Sequence, residues 1–553
     1  MKRWACGLVV VWVVGGTLAS LQGEGPRGAG PVVRVKFDAG TCAHPVSGRL
    51  VVLMKRRDVS RAADRRAPID GPFWEEEQPL FALDVKDLAP GAWVEVGAGA
   101  AAFPEPMDRL EPGTYDVQAR LDTQRLDSDW KREPGNLYSK GRAVLEVKPG
   151  EQGTAEVELD AVTSEPTRSA VDGVEWFSVR SELLSAFRER EVVLRAGVVL
   201  PAGYDPKVTY AAVYEVPGFG GNDQDAVGRA RRIKRSGGEG IARSAFWVVL
   251  DPEGPNGHTL FVDSDNNGPC GRALVEELIP ALEKKYPLVA QPAARVLRGH
   301  SSGGWSTLWL ATEYPATFGA CWSSSPDPVD FRRFQLTDLY AAHWFYGFPV
   351  NGLRSTEAHE AEQWARKVPQ GVIPAGASEG PAAVDRLVSY RRDGRAVMTV
   401  EREARGEDVL GPDNTSGQQW DSWFAAWGPR NERGNPAALF DPATGLIDRG
   451  VADRYRRYDI ADRLRRDPGQ YGPLFAGRIR LVVGDADNFF LNEAVSLLKK
   501  DVDGLAVARG TGYIKVVAGK DHSSVFNSDE VRAFEDEMAD HLREAGLLKD
   551  QSP

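Results

Sequence analysis

The chain has 553 residues, 42% of them hydrophobic, which is enough for several cores and excludes a short binding module; two or three domains are expected. A formal net charge of −11 gives no broad basic surface to neutralise phosphates. That argues against nucleic acid as a partner and for a small-molecule or polymer-linked substrate.

Met1-Lys2-Arg3-Trp4 precedes a mostly apolar run over 5–18 and small residues at Thr17, Ala19 and Ser20. This is the pattern of a signal peptide over 1–22, with cleavage after Ala19. The run is too short and too poorly flanked for a stable membrane span, so the mature chain is expected to be exported, to the periplasm or beyond the cell. Cys6 lies before the apolar run rather than at its end, which argues against a lipid-modified cysteine. Cys42, Cys270 and Cys321 remain after cleavage, so at most one bridge can form, and spacing alone does not decide whether Cys270 and Cys321 make it.

Over 30–165 the chain alternates short β-type runs, at 32–37, 48–53, 92–96, 113–121 and 143–147, with turns such as Pro112-Gly113 and Pro149-Gly150. A small β-sandwich-like domain is expected there, read as an accessory or packing unit with no catalytic cluster. From 173 the pattern changes to strands (191–200, 210–216, 245–250, 295–297, 319–323, 479–483, 513–517) separated by helical stretches (273–285, 305–313, 491–499, 529–545). This is the signature of an α/β fold with a mostly parallel sheet covered by helices, running over 173–326 and 476–546. The alternation breaks down over 327–475, which reads as a long insertion.

Gly299-His300-Ser301-Ser302-Gly303 lies between an apolar run and a helical pattern. A strand-to-helix elbow needs small residues around its serine, because the serine takes a strained conformation that lifts the hydroxyl clear of the sheet. Ser301 is therefore the expected nucleophile, and the Ser302 amide, at the helix start, an expected oxyanion donor. The second donor is expected from Pro217-Gly218-Phe219-Gly220-Gly221, which follows a strand; the Phe219 N–H is the choice, against a plain flexible turn. His300, beside the nucleophile, is not read as the base.

Seven histidines are present. In serine hydrolases with this elbow the acid and base follow the nucleophile on later strand ends, and His522, after the strand at 513–517, alone has that position. His541 falls in the terminal helix, and His343 and His359 in the insertion. Asp487 follows the strand at 479–483 and is the expected acid, with Asp485 as runner-up and helix capping as the plain alternative for either.

These pieces resemble the esterase branch of the α/β hydrolases that includes esterase D, the enterochelin esterases and the mycolyltransferases. The resemblance covers 173–325 and 476–545 and rests on the glycine-rich turn at 217–221, the elbow at 299–304, Gly484-Asp485-Ala486-Asp487-Asn488-Phe489-Phe490 and Asp521-His522-Ser523. It implies a Ser301, Asp487, His522 triad with the Phe219 and Ser302 amides as oxyanion hole, and carboxylester hydrolysis without a cofactor. The β-type N-terminal region and the insertion depart from it and leave the substrate open.

Two rivals stand beside this reading. A serine peptidase of the prolyl-oligopeptidase type would carry a propeller ahead of the catalytic domain, and no blade repeat is visible. A non-catalytic surface-binding protein on the same fold would need no strained serine. Asp263-Ser264-Asp265-Asn266-Asn267-Gly268 looks like the start of a calcium loop, but the twelfth position is Leu274, so no metal is expected there. Finally, the insertion concentrates aromatics, among them Trp344, Phe345, Tyr346, Phe348, Trp364, Trp420, Trp423, Phe424 and Trp427. Helical spacing from 420 to 427 fits first the insertion's own core, and as the alternative a cap in which Trp344, Trp423 and Trp427 line the substrate pocket.

Overall fold

The structure is a computed structural model that describes residues 30–57, 66–73, 78–346, 388–508 and 510–548. The expected signal peptide lies outside the described residues, as do Phe348, His359 and Trp364.

Eight strands build the central sheet: β1 (Val174–Arg180), β2 (Val193–Val199), β3 (Ala211–Val216), β4 (Ala245–Leu250), β5 (Arg295–His300), β6 (Ala320–Ser324), β7 (Ile479–Gly484) and β8 (Tyr513–Val517). Their order is β1-β2-β4-β3-β5-β6-β7-β8. The β1/β2 and β2/β4 pairs are antiparallel and every later pair is parallel. All six residues of β4, Ala-Phe-Trp-Val-Val-Leu, are buried, as a strand covered on both faces requires. On one face Tyr214, Phe246, Val248 and Leu297 pack against Trp305 and Trp309 of the helix α1 (Ser302–Glu313). On the other, Val213, Trp247, Val296 and Trp322 meet Phe534, Met538 and Leu542 of the last helix.

The region before β1 forms a three-stranded sheet around Val32–Lys36 and a seven-stranded sheet around Val46–Arg56 and Gly113–Asp122. Val33, Val35 and Phe37 share one core with Leu50, Val52 and Val117, so the two sheets face each other. This β unit is tied to the rest of the chain. Val51, Leu53, Phe103 and Trp130 pack on Val409 and Leu410 of the helix α2 (Val400–Leu410). Beside them Arg132 holds Asp251 in a two-point ion pair at 3.2 and 2.5 Å, with side chains only 8% and 5% exposed.

The described parts of 327–475 build no separate core. Phe331, Phe334, Phe345, Phe440 and Tyr455, with Trp420, Trp423 and Trp427 of the helix α3 (Gln419–Trp427), belong to the cluster that fills one face of the central sheet. Cys42, Cys270 and Cys321 are unbridged thiols, the last two buried.

Candidate active site

β5 ends at His300 and α1 begins at Ser302, leaving Ser301 at φ 57°, ψ −128°. Two glycines make this turn sterically feasible. A Cβ at Gly299 would lie 2.2 Å from the Gly303 carbonyl oxygen, and one at Gly303 would lie 2.0 Å from that of Val216. The Ser301 N–H donates to the Ser324 carbonyl (3.1 Å) and its own carbonyl accepts from Trp305 N (3.0 Å), so both neighbours hold the strained residue in place.

The turn after β3 passes directly against the serine: a Cβ on Gly218 would sit 3.4 Å from that of Ser301. Its carbonyl at Pro217 accepts from His258 Nε2 (3.0 Å), while His258 Nδ1 accepts from Leu260 N (3.1 Å), a pairing that fixes the tautomer. His258 is fully buried, and burial pushes its pKa down to about 4, so it is neutral at physiological pH. Ser302 is buried in the first turn of α1, where backbone N–H groups have no helical partner. Its Oγ donates to Asp327 Oδ2 (2.8 Å), and that oxygen also accepts from the indole Nε1 of Trp423 (2.7 Å). Burial pushes the Asp327 carboxyl up to about 6, against the pull of these two bonds.

The turns after β7 and β8 meet on the other side of Ser301. His522 Nδ1 lies 2.8 Å from Asp487 Oδ2, Asp487 Oδ1 accepts from Phe489 N (2.9 Å), and Asn488 Oδ1 accepts from His522 N (3.1 Å). Asp487 is fully buried; Asp485 is exposed and accepts from Gly519 N instead (2.7 Å). Burial alone would push the His522 pKa down, but the Asp487 charge and hydrogen bond outweigh it and hold the imidazole above its ordinary value. His300 is pushed well below its ordinary value by burial and by the neighbouring His522, whose ring centroid is 4.5 Å away. Its Nδ1 lies 3.0 Å from Ser324 Oγ.

Ser301, His522 and Phe219 open onto one cavity of about 570 Å³. The Ser301 hydroxyl and the His522 ring share it without a direct hydrogen bond. Of the three tryptophans expected in the pocket, Trp423 lines this cavity and the other two do not. Trp427 is wedged among Trp305, Phe331 and Phe334 at 5.1 to 5.6 Å, and Trp344 pairs its backbone with Leu446 beside His343. Helical spacing puts 420, 423 and 427 on one apolar stripe, but the stripe is wide enough to face the cavity at one edge and the core at the other. Asp327, Glu403 and Phe73 also line the cavity, and none was visible in sequence, because each arrives from a different part of the chain.

Among the described residues no three His, Cys, Asp or Glu side chains converge as metal ligands, and no helix is long and apolar enough to cross a membrane. Asp263 spends its Oδ1 on the amides of Gly271 and Arg272 (2.9 and 3.1 Å), at the start of a helix.

The strand order, with a strained serine where its fifth strand turns into a helix, makes the chain an α/β hydrolase. The model of the family described as "Putative esterase" matches residues 191–539, more than half of the chain, and the chain belongs to that family: it is a serine hydrolase acting on ester bonds. No match is found among curated proteins. Among solved structures it is similar to an S-formylglutathione hydrolase from Agrobacterium tumefaciens, at 14% identity and TM-score 0.34, covering 68% of this chain and 98% of that one. A ferulic acid esterase from Anaeromyces mucronatus is similar at 13% identity and TM-score 0.29, covering 68% and 93%.

Proposed function

We propose that the chain cleaves a carboxylic ester through an acyl-enzyme, with Ser301 as nucleophile, His522 as base and Asp487 as the acid that orients it. The observation that carries this reading is the 2.8 Å contact between His522 Nδ1 and Asp487 Oδ2 in the cavity that also holds Ser301. With Nδ1–H given to Asp487, Nε2 is the free acceptor. Rotation of the Ser301 hydroxyl toward it lets Oγ attack the ester carbonyl carbon as its proton passes to His522. The amides of Phe219 and Ser302 receive the tetrahedral oxyanion. Collapse breaks the bond to the alcohol, which leaves with the proton from His522. Water then repeats the sequence on the acyl-enzyme, releasing the acid and Ser301.

A fluorophosphonate probe should label the purified protein stoichiometrically, and Ser301→Ala should abolish both labelling and turnover of p-nitrophenyl acetate. Labelling that survives Ser301→Ala would put the nucleophile elsewhere. The same reading has the mature enzyme exported, supported by the charged and apolar segments of 1–22; an N-terminus at Ser20 in secreted material is the expected result.

A further inference from the structure

We propose that the catalytic cavity selects an ester bearing a cationic nitrogen, an ammonium or quaternary ammonium group, held by the Asp327 carboxylate and the aromatic side chains around it. The inference rests on the ester-hydrolase reading of Ser301 and adds its substrate class.

Asp327 is 2% exposed and lines the cavity next to the nucleophile, its N–H donating to the Ser301 carbonyl at 3.3 Å. Its bonds to Ser302 and Trp423 both fall on Oδ2. Holding those two donors takes one acceptor oxygen, which an asparagine would supply equally well. The second oxygen makes no hydrogen bond and no arginine or lysine pairs with Asp327 among the described residues, so within the protein its charge is felt chiefly by the His522 imidazole, which it helps to hold above the ordinary histidine value. A buried carboxylate without a permanently charged counter-ion is costly, and a cation entering the cavity would supply one. Burial sets its pKa near 6, so the group is ionised at mildly alkaline pH.

Two further observations point the same way. Gln335 lines the cavity with a buried Oε1 that has no partner, a second acceptor awaiting a donor. Trp420, Trp423, Phe219 and Phe489 also form its walls, and aromatic rings attract cations through their quadrupoles. Arg66, the arginine on the cavity wall, has its guanidinium 4.1 Å over the Phe73 ring. A volume of about 570 Å³ suits a small ester.

The test is kcat/KM at pH about 8, where Asp327 is charged, on two matched pairs of esters. One pair is choline butyrate and its carbon isostere, with tert-butyl in place of trimethylammonium. The other is p-nitrophenyl trimethylammoniobutyrate and its tert-butyl isostere, which puts the charge on the acyl side. At least one pair should favour the cation by about tenfold or more, and Asp327→Asn should bring that ratio to about one. The ratio is the readout because misfolding or a displaced Ser302 lowers both members of a pair alike. Ratios within about threefold of one in both pairs, an unchanged ratio in Asp327→Asn, or no turnover of either cationic ester by enzyme that hydrolyses p-nitrophenyl acetate would overturn the proposal. Failure to hydrolyse any ester, p-nitrophenyl acetate included, would instead remove the hydrolase reading beneath it.

Discussion

His258 holds the carbonyl of Pro217 through Nε2 at 3.0 Å, two residues before the amide assigned to the oxyanion hole, although it stands over forty positions further along the chain. Replacing it by Leu leaves that carbonyl buried and unpaired and frees the turn beside Ser301. The expected result is a fall of roughly 10²-fold in kcat with a smaller change in KM, the size seen when one oxyanion donor is lost, and His258→Gln, which keeps a donor, should recover part of it. Equal losses in Leu and Gln, confined to KM, would make the contact incidental.

The same histidine makes the fold sensitive to acid. Its folded pKa of about 4 lies below the unfolded value of 6.5, so the unfolded chain binds the proton more readily and stability falls as pH drops from about 6.5 toward 4. The contribution is of order 3 kcal/mol at the bottom of that window. In urea titrations across this range, His258→Leu should lose less stability on acidification than the wild type.

If His522 is the base proposed above, activity requires its neutral form; Asp487 holds its pKa above the ordinary histidine value, so kcat/KM should rise with pH through an ionisation above about 6.5. Asp487→Asn removes the charge that raises it and the acceptor that fixes the tautomer. A loss on the order of 10⁴ in kcat is expected, with the ionisation shifted downward. Asp485→Asn should stay near wild type, because that carboxylate serves the Gly519 amide. The reverse pattern would move the acid back by two residues.

The elbow was legible because its requirement is local: only glycine fits at 299 and 303, where Cβ atoms would collide with backbone 2.2 and 2.0 Å away. That Asp487 and His522 come together was legible from order along the chain, each following an apolar strand. His258 and Asp327 were not, since their roles come from contacts with Pro217 and Trp423 that no spacing announces. The strand Thr154–Glu158 also escaped notice: its Thr-Ala-Glu-Val-Glu pattern buries only small apolar residues, and its parallel pairing with Val32–Lys36 joins distant segments. Aromatic enrichment and, for Trp427, helical spacing point to the pocket, and neither tells a wall from a core.

Trp423 and Trp427, four residues apart on α3, should therefore respond differently. Trp427→Ala empties space among Trp305, Phe331 and Phe334 and should cost about 3–5 kcal/mol by chemical denaturation while leaving the ranking of ester substrates unchanged. Trp423→Phe keeps most of the volume but loses the N–H given to Asp327, so the ranking should change with a smaller stability loss. A changed ranking in Trp427→Ala alone would show that its neighbours in the core set the cavity's shape.

Arg132→Leu leaves both Asp251 and Asp127 buried without their shared partner, and a loss of about 3–5 kcal/mol is expected, which replacing Asp251 by an apolar residue as well should reduce only in part, because Asp127 still lacks its arginine. Denaturant midpoints for the two single variants and the double variant make the comparison; additive losses would mean that the pair is not coupled.

The cavity's walls include Phe73 from the β unit, Glu403 from α2 and His522 from the turn after the last strand of the central sheet. Few local contacts can assemble such a site in stages, because its parts are separated by most of the chain's length and the earliest wall waits for the latest. A growing polypeptide would thus hold an incomplete cavity until His522 had emerged and its turn had docked beside Ser301.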